Sequence, residues 1–265
     1  MDVVVADMAR FLVQKGFVPL KVQDRIVSAA AKNMLAVLGE ASSKALMFHM
    51  TSLTGLSERE LLANFRELER ALWSVFGCGA DIMLKRLSEE LAAATRSTGL
   101  GFNEMLDEIR RDEPLALVRS VGYGEHALLL YKSTAFRDRM VEAFFDSPAK
   151  ESRAAIMAGT LPVSVTAATY EQLVERYGVQ SVAEKAGEWA FSLQSDMRLR
   201  LAADNTWLAE KGIPEADHGR DRSPWRSAAV LCTYDSEKIG GHAAKISESH
   251  DFVVLEDSKT VYARK

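Results

Sequence analysis

Cysteine is scarce in this chain: there are two in 265 residues. Cys78 lies in a glycine-flanked turn and Cys232 inside an apolar run, far apart and outside any CxxC pair. That excludes a disulfide framework and points to a reducing cytoplasm. Long apolar runs are missing too. The longest uncharged stretch, Ala154 to Tyr170, is interrupted by Gly159 and Pro162 and cannot serve as a membrane span. The opening MDVVVADMAR carries Asp2 and Asp7 where a signal peptide would place basic residues. Nor is there a surplus of positive charge. The net charge is -4, and residues 1–95 hold eleven Lys/Arg against eleven Asp/Glu, so no chain-wide basic surface for nucleic acid is expected.

Catalytic signatures are also lacking. No serine sits in a G-x-S-x-G turn, and paired carboxylates such as Glu89-Glu90 and Asp112-Glu113 read as solvated faces. A phosphate-binding loop would need glycines between a strand and the following helix, because backbone N–H groups must wrap the phosphates. The corresponding junction here, Tyr131-Lys132-Ser133-Thr134, has none, and Gly122-Tyr123-Gly124 precedes the strand. The expectation is a protein without enzymatic activity or cofactor.

What the sequence does have falls into two parts. From Gln23 to Ala94, apolar residues recur at helical spacing: Ile26, Ala30, Met34 and Leu38, then Leu46, Met50 and Leu53, then Leu68 and Leu72, then Leu84, Leu87 and Leu91. Gly39, Gly55 and the Phe76–Ala80 turn separate these patterns, and Ser57 with Glu60 has capping-box spacing, with a break near 63–65. These patterns predict an all-α N-terminal bundle over 1–95, in which the first twenty residues form a small helix or tail. A polar connector follows over 96–118.

From 119 to 265, short apolar runs alternate with helical patterns. Strands are expected at His126–Tyr131, Ala154–Ala158, Val163–Ala167 and Met197–Ala202, and helices at Thr134–Phe145, Tyr170–Tyr177 and Val182–Leu193. Helix Thr134–Phe145 would pack through Phe136, Met140, Val141, Phe144 and Phe145. The last unit, Ala228 to Leu255, reads as strand, helix, strand. The prediction is a three-layer α/β domain with a mostly parallel sheet of RecA-like or Rossmann-like type.

Two resemblances accompany this reading. Leu38-Gly39, Ala41 to Ser43, Phe48-His49 and Phe76 to Ala80 resemble a small helical module that recurs in archaeal proteins and has no settled activity. In the second half, His126 to Tyr131, Asp204-Asn205-Thr206-Trp207, Leu231 to Asp235, and Ser249-His250 before Phe252-Val253-Val254 together resemble the MEDS domain. That is the sensory domain named for methanogen and methylotroph proteins and the regulator DcmR. The resemblance implies a RecA-like fold without a phosphate loop that senses a small molecule in signalling and transcriptional proteins. This chain departs from the family in a compressed middle section, Gly159 to Leu193, and in having no glutamate equivalent between Trp207 and Ala228.

The candidate ligand-binding residues are His126, Tyr131, Asp204, Trp207, Tyr234, Asp235 and His250. Asp204, Tyr131, Tyr234 and Asp235 end parallel strands, on the edge where open α/β sheets place their ligand crevice. Asp204 could equally cap the helix begun by Asn205, and Trp207 could cover the sheet edge instead of stacking on a ligand. His126 and His250 read as ligand contacts or as structural donors. A zinc site formed by His126, Cys232 and His250 would need converging geometry and a fourth ligand, and no pair has the short spacing of zinc signatures, so no metal is expected. The expected function is a sensory or regulatory protein whose helical part dimerises or meets a protein partner. Two alternatives stand beside it: a DNA-binding transcriptional regulator, and a structural interaction protein with a degenerate pocket.

Overall fold

A computed structural model describes residues 3–97, 99–146, 150–159, 161–194, 198–214, 225–239 and 242–264. The chain divides into two compact units. One comprises 1–20 together with 121–265, and the other comprises 21–120.

The unit spanning 21–120 is helical throughout its described residues. It contains α2 (Val22–Ala36), α3 (Glu40–Thr54), α4 (Glu58–Ala63), α5 (Phe65–Phe76), α6 (Ala80–Thr95), α7 (Phe102–Arg111) and α8 (Glu113–Ser120). Its punctuation is local and chemical. Gly55 adopts φ +70 to close α3, a left-handed conformation that costs glycine little. Ser57 Oγ accepts from the Glu60 N–H while Glu60 Oε2 accepts from the Ser57 N–H at 2.9 Å, which starts α4. Asn64 breaks the next stretch and caps α5 by accepting from the Glu67 N–H. Ile26, Met34, Leu61, Leu68, Leu72, Leu87 and Leu91 are buried, as their spacing requires. The stretch expected as a connector forms α7 and α8 of this unit, because Met105, Leu106, Ile109, Leu117 and Val118 supply buried faces of their own.

The other unit is built on an eight-stranded sheet. Its strands are β1 (Phe17–Leu20), β2 (His126–Tyr131), β3 (Ser152–Ile156), β4 (Thr166–Ala168), β5 (Leu199–Asp204), β6 (Ala228–Asp235), β7 (Phe252–Leu255) and β8 (Val261–Arg264). Their order is β1-β8-β7-β2-β6-β5-β3-β4. The six from β7 to β4 run parallel, and β8 and β1 add antiparallel pairs at one edge. The first twenty residues therefore belong here: after α1 (Val3–Gln14) they supply an edge strand that is hydrogen-bonded to β8.

Both faces of the central strands β2, β6 and β7 are buried, and their sequences are nearly continuous apolar runs. Leu128, Leu130, Leu199, Leu201, Val230, Cys232, Val253 and Leu255 share one face. They pack with Leu12 of α1, Leu173 of α10 (Tyr170–Tyr177), Val182 and Ala186 of α11 (Val182–Ser192), and Ile239 of α13 (Ser236–Ile239). The other face meets α9 (Thr134–Phe145), which packs against β2, β5 and β6 with Met140, Val141 and Phe144 buried. The helix expected between Leu231 and Phe252 is split into α13 and α14 (Ala243–Ser247). Much of the polar loop read at Gly212 to Pro224 lies outside the described residues. No helix among the described residues is long and apolar enough to cross a membrane.

Candidate functional site

The C-terminal ends of β2, β5 and β6 converge on Asp204. Alternation along β5 places Arg200, Ala202 and Asp204 on the face opposite Leu199, Leu201 and Ala203, and the same alternation places Tyr131 and Asp235 on that face. Asp204 Oδ2 accepts from the Tyr131 hydroxyl at 2.8 Å and from Arg137 Nη1 at 2.7 Å. Its Oδ1 accepts from the Thr206 hydroxyl at 2.7 Å and the Thr206 N–H at 3.2 Å. One oxygen of the carboxylate thus closes the turn into the following helix, and the other holds Tyr131 at the end of β2 and Arg137 of α9. The short helix α12 (Thr206–Glu210) follows directly.

Arg137 supplies the cation of this node. Beyond Asp204, its Nε and Nη2 donate to Asp138 and its Nη2 to the Ala158 carbonyl, while its guanidinium carbon lies 5.5 Å from the Tyr131 ring centre. Burial by itself would lower the Arg137 pKa, but the bonds to Asp138 and Asp204 outweigh it and hold the guanidinium above its ordinary range. Burial first, and the neighbouring Asp204 charge second, push Tyr131 up to about 12, so it is a neutral donor at any physiological pH.

The remaining sequence candidates separate into distinct places. Asp235 joins the node indirectly, its N–H donating to Thr206 Oγ1 at 2.8 Å. Trp207 stacks on Tyr170 with ring centres 5.8 Å apart and planes 10° from parallel, and the Tyr170 hydroxyl donates to Asn205 Oδ1 at 2.6 Å. Tyr234, one residue before Asp235, points to the opposite face of the sheet and is buried in the core there, so it does not share a crevice with Tyr131 and Asp204. His126 and His250 lie away from the node. Their rings are 4.2 Å apart, and His126 Nε2 is 2.9 Å from Cys232 Sγ.

Sequence reading overlooked Arg137, although a signal was present. It falls three and four residues before Met140 and Val141, a charge on the apolar stripe of α9. Phe136, assigned to that stripe, is only partly buried. Also overlooked was Glu256, just past β7. Its Oε2 accepts from the Lys132 N–H at 2.5 Å and the Ser133 N–H at 2.8 Å, and its Oε1 accepts from the Ser133 hydroxyl. Lys132 in turn pairs with Asp257. The turn between β2 and α9, where a nucleotide-binding sheet would present N–H groups to a phosphate, presents them to a carboxylate of the same chain.

The chain matches no family model, no curated protein and no solved structure.

Proposed function

We propose that this chain is a non-enzymatic sensory or regulatory protein of the cytoplasm. Its α/β unit would be MEDS-like, reading a small polar molecule at the Asp204 edge, and its helical unit would dimerise or meet a protein partner. The observation that carries the reading is the pairing of Asp204 with Arg137 and Tyr131 at the C-terminal ends of parallel strands, beside a β2–α9 turn whose N–H groups are taken by Glu256. The first of these is a polar cluster where such sheets bind ligands. The second leaves the phosphate-cradling position filled from within.

The strand order supports the RecA-like reading. Counted from β2 and omitting the short β4, the parallel strands appear across the sheet as fifth, first, fourth, third and second. A ligand entering the Asp204 edge must replace a charged hydrogen bond. Its chemistry is therefore expected to include a carboxylate that competes for Arg137 or an amine that competes for Asp204. For the helical unit, support comes from a groove of about 1190 Å³ lined by Leu35, Met47, Leu56 and the exposed Phe48.

The test is a thermal-shift and native mass-spectrometry screen of the full chain against small carboxylates, amines and nucleotides, with the same screen on Arg137→Met. Stabilisation by a small molecule that the variant loses is the expected result. ATP hydrolysis abolished by Lys132→Ala would overturn the reading.

A further inference from the structure

His126, Cys232 and His250 each bring one potential metal-ligand atom to a buried cluster in which those atoms all lie within 4.8 Å of one another. Three separate strand regions deliver them. His126 opens β2, Cys232 lies mid-β6 opposite Leu128, and His250 stands two residues before β7. The sequence separations are long, which is why spacing gave no zinc signature; the parallel register does the gathering. His126 and Asp251 clip the segments together, since the His126 N–H donates to Asp251 Oδ2 and the Asp251 N–H to the His126 carbonyl, both at 2.8 Å. The cluster faces the side of the sheet away from Tyr131 and lies nearer the N-terminal ends of the strands, so it is independent of the Asp204 reading.

The hydrogen bonding of His250 defines its tautomer. Nδ1 lies 2.8 Å from the Ile246 carbonyl, an acceptor only, so Nδ1 carries a proton and in the neutral ring Nε2 carries the lone pair. An imidazole whose far N–H is anchored on a backbone carbonyl has the outer-shell arrangement of metal-ligating histidines.

We propose that His126, Cys232 and His250 form a three-coordinate site for Cu(I). The ligand set selects the ion. Thiolate and imidazole donors suit soft and borderline metals, and a His2Cys set is a trigonal copper arrangement, whereas structural zinc takes four ligands. Charge selects it further. One thiolate, two neutral imidazoles and Cu(I) sum to zero, while Zn(II) would leave a net positive charge in a nearly water-free core. On binding, Cu(I) accepts the sulfur and nitrogen lone pairs and the thiol proton leaves to solvent, with no change of oxidation state.

The experiment is an anaerobic titration of the full chain with Cu(I) supplied as its bicinchoninate complex, followed by X-ray absorption. One Cu(I) per chain is expected, with one sulfur near about 2.3 Å and two nitrogens near about 2.0 Å, borrowing the corresponding zinc distances. Cys232→Ala, His126→Gln and His250→Gln are each expected to weaken uptake at least about 100-fold, the upper end of the cost of losing even an outer-shell partner. Cys78→Ser, at the exposed second cysteine, should leave uptake unchanged. Circular dichroism identifies any variant that fails to fold, and the absorption spectrum of the unmodified chain then decides. Absence of uptake, uptake that survives in a folded Cys232→Ala chain, a spectrum without sulfur, or displacement of Cu(I) by equimolar Zn(II) would each overturn the proposal.

Discussion

Replacing Arg137 by methionine removes the cation from a node that is almost closed to water: the Arg137 and Asp204 side chains are 10% and 13% exposed. Methionine keeps most of the aliphatic volume, so the loss is chiefly electrostatic. Asp204 would retain the Tyr131 and Thr206 hydroxyls but lose its only cationic partner among the described residues. Breaking a buried ion pair from one side costs about 3–5 kcal/mol, and since Oδ1 keeps its bonds we place Arg137→Met near about 3 kcal/mol. Asp204→Asn attacks the same pair from the other side and should cost less, about 1–2 kcal/mol, because Arg137 keeps the half-exposed Asp138 and the Ala158 carbonyl. The double variant should fall short of the sum of the two, since each single change removes the same contact. Urea unfolding of all four proteins, followed by tryptophan fluorescence at constant ionic strength, measures this cycle. Equal costs for the two single variants, or strict additivity, would refute the reasoning.

Other outcomes follow from the same geometry. Tyr131 should be among the last tyrosines to ionise, with absorbance at 295 nm showing a step near pH 12 that Tyr131→Phe removes; Tyr123, half-buried and bonded to Glu151, also titrates late. Because the folded pKa of Tyr131 is raised, its contribution is complete below the unfolded value of about 10 and is lost as pH rises through about 12. The pH dependence of unfolding between those values should therefore flatten in Tyr131→Phe. Glu256→Ala frees the N–H groups of Lys132 and Ser133 to meet water and should cost about 1–2 kcal/mol in chemical denaturation. Gly187→Ala would place a methyl 3.0 Å from the Trp225 ring, which packs edge-on against Phe191, and should cost about 1–3 kcal/mol with a shift in tryptophan emission.

The parallel strands were readable in the sequence because burial on both faces demands unbroken apolar runs such as Leu128-Leu129-Leu130 and Val253-Val254-Leu255. The capping box at Ser57 and Glu60 was readable because both partners lie within one turn. What escaped depends on contacts between distant segments. β1 carries Pro19 and only four residues, and it becomes a strand by pairing with β8. Nearness to a strand end groups Tyr234 with Asp235, whereas alternation sends the two to opposite faces. Asp204 was identified at its strand end, but its partner Arg137 was concealed in an apolar stripe. The histidines and Cys232 meet only once the register of β2 with β6 and β7 exists.

The edge formed by β1 and β8 also bears on how the chain is made. Phe17 pairs with Arg264 and Leu20 with Val261, so β1 waits during synthesis for a partner about 240 residues downstream. At translation rates of 5–20 residues per second, that wait is on the order of 10–50 s. The helical segment encoded between β1 and β2 has its own core and can close during that interval. The order of synthesis thus separates folding into an early helical event and a late sheet-sealing one, and the exposed Phe17–Leu20 segment is the place where a nascent-chain chaperone would be expected to hold on.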